Sequence, residues 1–302
     1  MAVSLPQEFV RRSAQSDAWG AWRAGLPRLI ADVLREWELR DDGPLRTGQN
    51  AVVVPVLTSS GERAAAKFGF PHREAEFEHL ALREWAGRGT VRLLRADPRR
   101  SVLLLERAEP GHDLHTLPVL DACRVIAGSY ANLHTAPLPQ LDRLSSLAGR
   151  WSRELGSLRN TQLVPRRFVD QAIGLAADLS SDPGTDTFLI HGDLHFENVL
   201  AAQREPWLVI DPKPLAGDPA YEVAPVLWNR WAEAVASGDV RAALLDRMFT
   251  VVDRAELDED RVRDWIVVRE VVNVAWAIRD GVAVRDSSWV SAAVTIMKAV
   301  QR

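Results

Sequence analysis

Apolar residues along this chain follow one spacing, change to another, and then change back. In the first forty positions Phe9, Val10, Trp19, Trp22, Leu26, Leu29, Ile30, Val33, Leu34 and Trp37 recur at three- and four-residue steps, with a break expected near Gly25-Leu26-Pro27. That spacing predicts helices with one buried face. Asp41-Asp42-Gly43-Pro44 reads as a turn. The apolar run 51–57, the turn Ser59-Ser60-Gly61-Glu62 and the run 63–68 then predict a β-hairpin. Helical spacing returns between Phe70 and Trp85, at Phe77, Leu80, Ala81, Leu82 and Trp85. Two more strands are expected at 91–94 and 101–106, around the turn at Asp97-Pro98.

Past Arg107, Pro110 and Gly111 mark the expected connection to a second, mostly helical part. Helices are predicted over 117–133 and 151–158, and Phe168, Ala172, Ile173, Leu175, Ala176 and Leu179 form a third apolar stripe. Short strands interrupt the helices around 189–211, and helical patterns resume from Ala220. The longest, 262–278, is apolar on most faces and is expected to be buried. No internal repeat or low-complexity segment is present. The pattern describes an α+β protein with a β-rich first part, 1–107, led by N-terminal helices, and a helical second part, 108–302.

The chain has 302 residues, 47% hydrophobic and 26% charged, which is ordinary for a globular protein with one large or two smaller cores. A net charge of −4 argues against a nucleic-acid partner and is compatible with a cationic substrate. Trp is abundant, at 11, which points to large core fillers. The single Cys123 excludes an intramolecular disulfide and a Cys-based zinc site, and its place in the 117–133 helix makes it a buried, inert thiol. Residues 1–10 lack the basic and apolar regions of a signal peptide, and no apolar run approaches the ~18 residues of a membrane span. A cytoplasmic protein without a membrane partner is the expectation.

The chemistry concentrates in Leu189-Ile190-His191-Gly192-Asp193-Leu194-His195-Phe196-Glu197-Asn198-Val199-Leu200, followed by Leu208-Val209-Ile210-Asp211. Asp193 and Asn198 have four residues between them, the spacing of a kinase catalytic loop, and Asp211 closes a strand-like run. Phosphoryl transfer needs positioning and charge neutralisation. Asp193 is the carboxylate type that meets an acceptor hydroxyl, and Asn198 and Asp211 are hard oxygen ligands for Mg²⁺. The residues thus point to an ATP- and Mg²⁺-dependent phosphoryl transfer, against the plainer reading of an ordinary surface loop. His191 and His195 flank Asp193 and could suggest zinc, but the other five His are dispersed, so His191 is expected to brace the loop by hydrogen bonding.

Lys67 ends an apolar strand, where a lysine can contact nucleotide phosphates when a glutamate on the next helix steadies it. Of Glu74, Glu76 and Glu78, the expected partner is Glu78, which leads directly into the apolar turn 80–82. Thr47-Gly48-Gln49-Asn50-Ala51 could bring backbone amides to phosphates around Gly48, a plain β-turn being the competing reading. No G-x-x-x-x-G-K-[ST] occurs, which removes the P-loop class.

His191-Gly192-Asp193-Leu194-His195, with Asn198 and Ile210-Asp211-Pro212-Lys213-Pro214, resembles the antibiotic-kinase branch of the protein-kinase-like fold. Gly217-Asp218-Pro219-Ala220-Tyr221-Glu222-Val223-Ala224-Pro225 resembles the aminoglycoside 6-phosphotransferase group, which includes streptomycin 6-kinases and is grouped with hydroxyurea phosphotransferases. The resemblance runs over about 48–231 and is strongest over 191–225. It implies two lobes, a small β-rich N-lobe with N-terminal helices and a larger, mostly helical C-lobe. It also implies ATP with Mg²⁺ and phosphorylation of a small-molecule hydroxyl. On matching positions it assigns Asp193 as catalytic, Asn198 and Asp211 to the metal and Lys67 to phosphate. It assigns 104–107, which includes Glu106, to the linker whose backbone meets adenine.

Two departures stand out: Phe196-Glu197 where Pro-Gly is usual, and Glu222 where Asp is common, which leaves its contact with the catalytic loop open. A cationic aminoglycoside acceptor would call for acidic side chains, for which Asp218, Glu222, Glu270 and Asp280 are candidates, structural charges being the competing reading. The alternatives are a kinase of hydroxyurea or another metabolite, a non-catalytic nucleotide-binding protein of the same fold, and a metal-dependent hydrolase using His191, Asp193 and His195. The sequence leaves the acceptor and the oligomeric state open.

Overall fold

The structure is a computed structural model that describes residues 5, 9, 16–279 and 288–301. Val10 and Asp280 lie outside the described residues. The chain divides into two compact units, 1–109 with 202–204, and 110–201 with 205–302.

In the first unit, helix α1 (Asp17–Glu36) is started by Ser16, whose side chain accepts a hydrogen bond from Trp19 N at 3.2 Å. The expected break near Pro27 does not occur, and the helix runs through the proline. An interior proline costs about 3 kcal/mol. Leu26 and Ile30 on either side of it are fully buried, and each contributes roughly 1.5–3 kcal/mol by leaving water. Burial therefore outweighs the lost helical hydrogen bond.

Strands β1 (Arg40–Asp41), β2 (Arg46–Thr47), β3 (Ala51–Leu57), β4 (Arg63–Gly69), β5 (Leu93–Asp97) and β6 (Val102–Glu106) form one sheet in the order β1–β3–β4–β6–β5, with β2 also on β3. Every pair is antiparallel. Side chains alternate between faces with a period of two. Val52, Val54, Val56, Ala64, Ala66, Phe68, Val102 and Leu104 pack with Trp19, Leu26, Ile30 and Val33 of α1 in one core. Lys67 is out of step with this set and lies on the opposite face, opposite Val53 on one side and Leu103 on the other.

Helix α2 (Glu78–Trp85) is shorter than the 70–85 pattern, because residues 73–75 form a separate 3₁₀ turn. Strand β5 starts at Leu93, two positions later than expected, and its pairing is irregular between Leu93 and Arg95.

The second unit is mainly helical: α3 (Val119–Leu133), α4 (Leu144–Glu154), α5 (Arg166–Ser181), α6 (Ala224–Trp228), α7 (Trp231–Ala236), α8 (Val240–Ala255), α9 (Glu259–Arg279) and α10 (Ser288–Ala299). Helix α4 begins earlier than the expected 151–158 helix, because its buried stripe already includes Leu144 and Ala148; residues 155–160 are 3₁₀. Helix α9 is buried along most of its middle, as its apolar pattern predicts. Cys123 is fully buried on α3, and burial pushes its thiol up to about 12.

Five short strands complete the picture. β7 (Glu109–Asp113), β9 (Val199–Ala201) and β10 (Trp207–Val209) make a sheet in the order β10–β9–β7, and β8 (Phe188–Ile190) pairs with β11 (Leu215–Gly217). Pro110 and Gly111, expected in a connection, lie inside β7. An edge strand tolerates a proline because one row of its N–H groups has no ladder partner. Among the described residues no helix is long and apolar enough to cross a membrane.

Candidate active site

In the first unit the predicted lysine and glutamate meet. Lys67 Nζ donates to both carboxylate oxygens of Glu78 at 2.7 Å, and the pair is almost wholly buried. Strand β4 presents Lys67 away from the α1 core, and Glu78 is the first residue of α2. Glu76 instead pairs with exposed Arg73. A buried ion pair contributes little net stability, but removing one member leaves an uncompensated charge.

The other nucleotide-side candidates are engaged locally. Gly48 N donates to Ala51 O at 2.9 Å, closing the β2–β3 turn, and its backbone φ requires no glycine. Glu106 N donates to Arg92 O at 2.9 Å. The Glu106 carboxylate accepts from Arg204 Nε and Nη2, each at 2.9 Å, and from Arg92 N at 3.0 Å. Burial would raise the Glu106 pKa, but these donors hold it below the ordinary carboxylate value. Both the side chain and the N–H of Glu106 are thus engaged within the first unit.

The second unit assembles the rest from residues 191–198, 210–213 and 222. His191 follows β8 and is fully buried. Its Nε2 lies 2.9 Å from Ile210 O, which can only accept, so Nε2 carries the proton; Nδ1 then accepts from Asp193 N at 3.2 Å. Burial lowers its pKa, the Glu222 charge opposing, which agrees with this neutral tautomer. With both ring nitrogens engaged, His191 cannot ligate a metal, and the zinc-hydrolase reading loses its first ligand.

Gly192 has a φ of +80°, and a Cβ there would lie 2.2 Å from Lys213 O, so only glycine fits. Its N–H donates to Glu222 Oε1 at 2.7 Å, while Glu222 Oε2 meets His134 Nε2 at 2.8 Å. The contact left open by the longer carboxylate is therefore made, and Glu222 is buried in making it. Phe196, at the other departure, is buried and donates its N–H to Asn229 Oδ1 at 2.9 Å.

Asp193 projects from this braced loop and is partly exposed. Lys213 Nζ forms an ion pair with Asp193 Oδ2, and His195 Nε2 stands 4.0 Å from the same oxygen. Burial would raise the Asp193 carboxyl, but the neighbouring Lys213 charge, then His195, hold it below the ordinary value. Asn198 Nδ2 donates to Asp193 O at 2.9 Å, which leaves Asn198 Oδ1 as the acceptor. Ile210 N donates to Asn198 O at 2.9 Å, joining this turn to the segment that carries Asp211. Asp211 has a φ of +57°, an uncommon conformation for a non-glycine residue. Asn198 Oδ1 and the Asp211 carboxylate are hard oxygen donors of the kind Mg²⁺ takes alongside phosphate oxygens and water.

Sequence reasoning missed Lys213, Asn229 and Arg269. The Arg269 guanidinium lies 4.3 Å above the Tyr221 ring and 3.5 Å from Gly192 O. Only Lys213 carried a signal, as a cation between two prolines immediately past Asp211.

The acidic candidates for an acceptor are held inside the fold. Asp218 accepts from Trp265 Nε1 at 2.6 Å, forms an ion pair with Arg261 and accepts from Ala220 N at 3.0 Å. Glu270 is fully buried, its Oε1 has no hydrogen-bond partner among the described residues, and burial pushes its pKa up to about 8.

A family model described as aminoglycoside/hydroxyurea antibiotic resistance kinase matches residues 36–281. Streptomycin 6-kinase of Streptomyces griseus is 39% identical over 282 residues, 92% of this chain and 91% of that protein. Hydroxyurea phosphotransferase of Kitasatospora aureofaciens is 38% identical over 287 residues, 92% of this chain and 82% of that protein. The crystal structure of choline kinase LicA from Streptococcus pneumoniae superposes with a TM-score of 0.59 at 15% identity, covering 91% of this chain and 98% of that one. At that identity the likeness concerns the fold alone, which is protein-kinase-like.

Proposed function

The chain belongs to the aminoglycoside/hydroxyurea antibiotic resistance kinase family, and on that footing we propose that it transfers the γ-phosphoryl group of ATP to a hydroxyl of a small molecule, an aminoglycoside of streptomycin type. The observation that carries the reading is Asp193, a reachable carboxylate kept ionised on a loop braced by His191, Glu222 and Asn198. A base so held can hydrogen-bond the acceptor hydroxyl and take its proton as the new O–P bond forms and the bond to the β-phosphate oxygen breaks.

Lys67, steadied by Glu78, supplies a positive charge for the nucleotide phosphates. Asn198 Oδ1 and Asp211 would hold Mg²⁺, which offsets phosphate charge. Gly48 N and the Glu106 N–H and carboxylate are engaged in local hydrogen bonds, so any part of these two segments in nucleotide binding would come from the neighbouring backbone. An ATP-dependent kinase of this kind would act in the cytoplasm.

A second acceptor class is favoured by one observation. Asp218 and Glu222 are bonded within the fold, and Glu270 is buried with a raised pKa, so none of them offers a carboxylate to a cation. A neutral acceptor such as hydroxyurea needs no such charge, and a hydroxyurea phosphotransferase is among the relatives.

Incubation with ATP, Mg²⁺ and separately streptomycin, other aminoglycosides or hydroxyurea decides the matter. The expected result is ADP release with an acceptor mass gain of one HPO₃, reduced about 10²–10⁴-fold in Asp193→Ala. Nucleotide binding without turnover on every acceptor would favour the non-catalytic reading.

A further inference from the structure

Lys213 is fixed to the catalytic loop by its backbone, independently of what its side chain does. Lys213 N donates to His191 O at 2.8 Å, and its carbonyl oxygen packs against Gly192 so closely that no Cβ fits there. Pro212 and Pro214 restrict the backbone on both sides. From this anchor the side chain reaches Asp193 Oδ2 and ends about one quarter exposed. Any residue other than proline at 213 could make the two backbone contacts. The backbone contacts therefore do not account for the place of the ammonium on Asp193.

We propose that Lys213 is a catalytic residue of the phosphoryl transfer, its ammonium bridging Asp193 and the oxygens of the phosphoryl group in flight. This rests on the kinase reading above and adds a residue to it. An acceptor hydroxyl bonded to Asp193 stands about 2.7–2.8 Å from a carboxylate oxygen. Lys213 Nζ is already on that carboxylate, so the incoming oxygen and the phosphorus it attacks come within reach of the flexible four-carbon stem. An ammonium has three donors, enough to keep Asp193 and contact phosphoryl oxygens at once. In the step the acceptor oxygen bonds to the γ-phosphorus and the bond from phosphorus to the bridging oxygen breaks. The hydroxyl proton passes to Asp193, and ADP leaves with the electron pair. Charge spread over the equatorial oxygens in this transition state is what Lys213 would offset.

A merely structural pair predicts something different. An ion pair this accessible contributes only about 0–1 kcal/mol, and the backbone contacts survive any substitution that is not proline. The test uses the full-length protein and Lys213→Met and Lys213→Arg. Calorimetry compares the affinity for Mg²⁺–ADP with that for Mg²⁺–ADP plus aluminium fluoride, which mimics the phosphoryl group in transfer, and kcat and KM are measured on an acceptor the wild type phosphorylates.

For Lys213→Met the expected result is an unchanged Tm and ADP affinity, fluoride-complex affinity weaker by about 10²-fold, and kcat lower by about 10²–10³-fold with little change in KM. Lys213→Arg restores part of both. Equal affinity of wild type and Lys213→Met for the fluoride complex, or a kcat that is unchanged or higher, overturns the proposal while leaving the kinase reading intact. A wild type that binds neither nucleotide complex overturns the kinase reading, and this proposal with it.

Discussion

At the scale of single residues, the loop around Asp193 tolerates little variation for reasons that are steric before they are chemical. Gly192 combines a positive φ with a neighbouring backbone carbonyl that cannot swing away. Gly192→Ala should therefore lower stability by about 1–3 kcal/mol, read as a fall in Tm, and reduce activity even though no catalytic group is altered.

Glu270 allows a prediction of opposite character. Its pKa is pushed up to about 8 by burial, against an ordinary value of 4.5. Between those values the folded protein holds a proton that the unfolded chain has lost, so stability falls as pH rises through this window and levels off above it. Glu270→Gln removes the ionisation. Its Tm should change less than that of the wild type between about pH 5 and about pH 8, and an equal fall in both would exclude Glu270 as the cause.

Asp193, Asn198 and Asp211 stood out as candidates in the sequence because phosphoryl transfer calls for those residue types at such a spacing. Lys213 carried only the signal of a cation between two prolines, since its ion pair with Asp193, formed through a twenty-residue separation, has no local pattern. Glu222 was legible as a departure, but its bonds to Gly192 and His134 depend on how the chain folds back.

At the scale of elements, the periodicity located the main helices and the longer strands of the first sheet but not the short strands β1, β2, β7 and β11, and its errors have separate causes. Helix α1 continues through Pro27 because tertiary burial overrides a local penalty. Strand β7 incorporates Pro110 and Gly111 because pairing with β9 outweighs their turn preference.

The junction of β4 and α2 gives an element-scale prediction, since the pair it creates is buried from both sides. Lys67→Met leaves a buried carboxylate and Glu78→Gln leaves a buried ammonium, so each should cost up to about 3–5 kcal/mol of stability. The double variant Lys67→Met with Glu78→Gln should recover part of that stability. Activity should not recover, because the charge proposed to meet the nucleotide phosphates is gone. Thermal unfolding of the three variants, with KM for ATP on any that turn over, separates the two effects.

At the scale of the whole molecule, the first unit is assembled from two stretches of chain. Residues 202–204 belong with 1–109, and Arg204 donates to the Glu106 carboxylate and, through Nη2, to Thr90 O at 2.8 Å. The sequence shows a division near Arg107 but has no sign of this return, because Gln203 and Arg204 read as ordinary polar turn residues between two short strands. Arg204→Ala should lower Tm by the loss of these contacts, about 1–3 kcal/mol. Residues 1–109 expressed alone should be less stable than the same unit within the full chain, as read by hydrogen exchange at the β6 amides.

The return of residues 202–204 also bears on synthesis. A ribosome makes the chain from its N-terminus, and domains generally begin to fold as they emerge. Most of the first unit is complete at residue 109, but Glu106 waits for Arg204 until another ninety-five residues have been added. During that interval the Glu106 carboxylate has its bond from Arg92 N but lacks the Arg204 guanidinium, and the unit forms short of its full stability. The order in which this protein matures is thus written into one short excursion of its backbone.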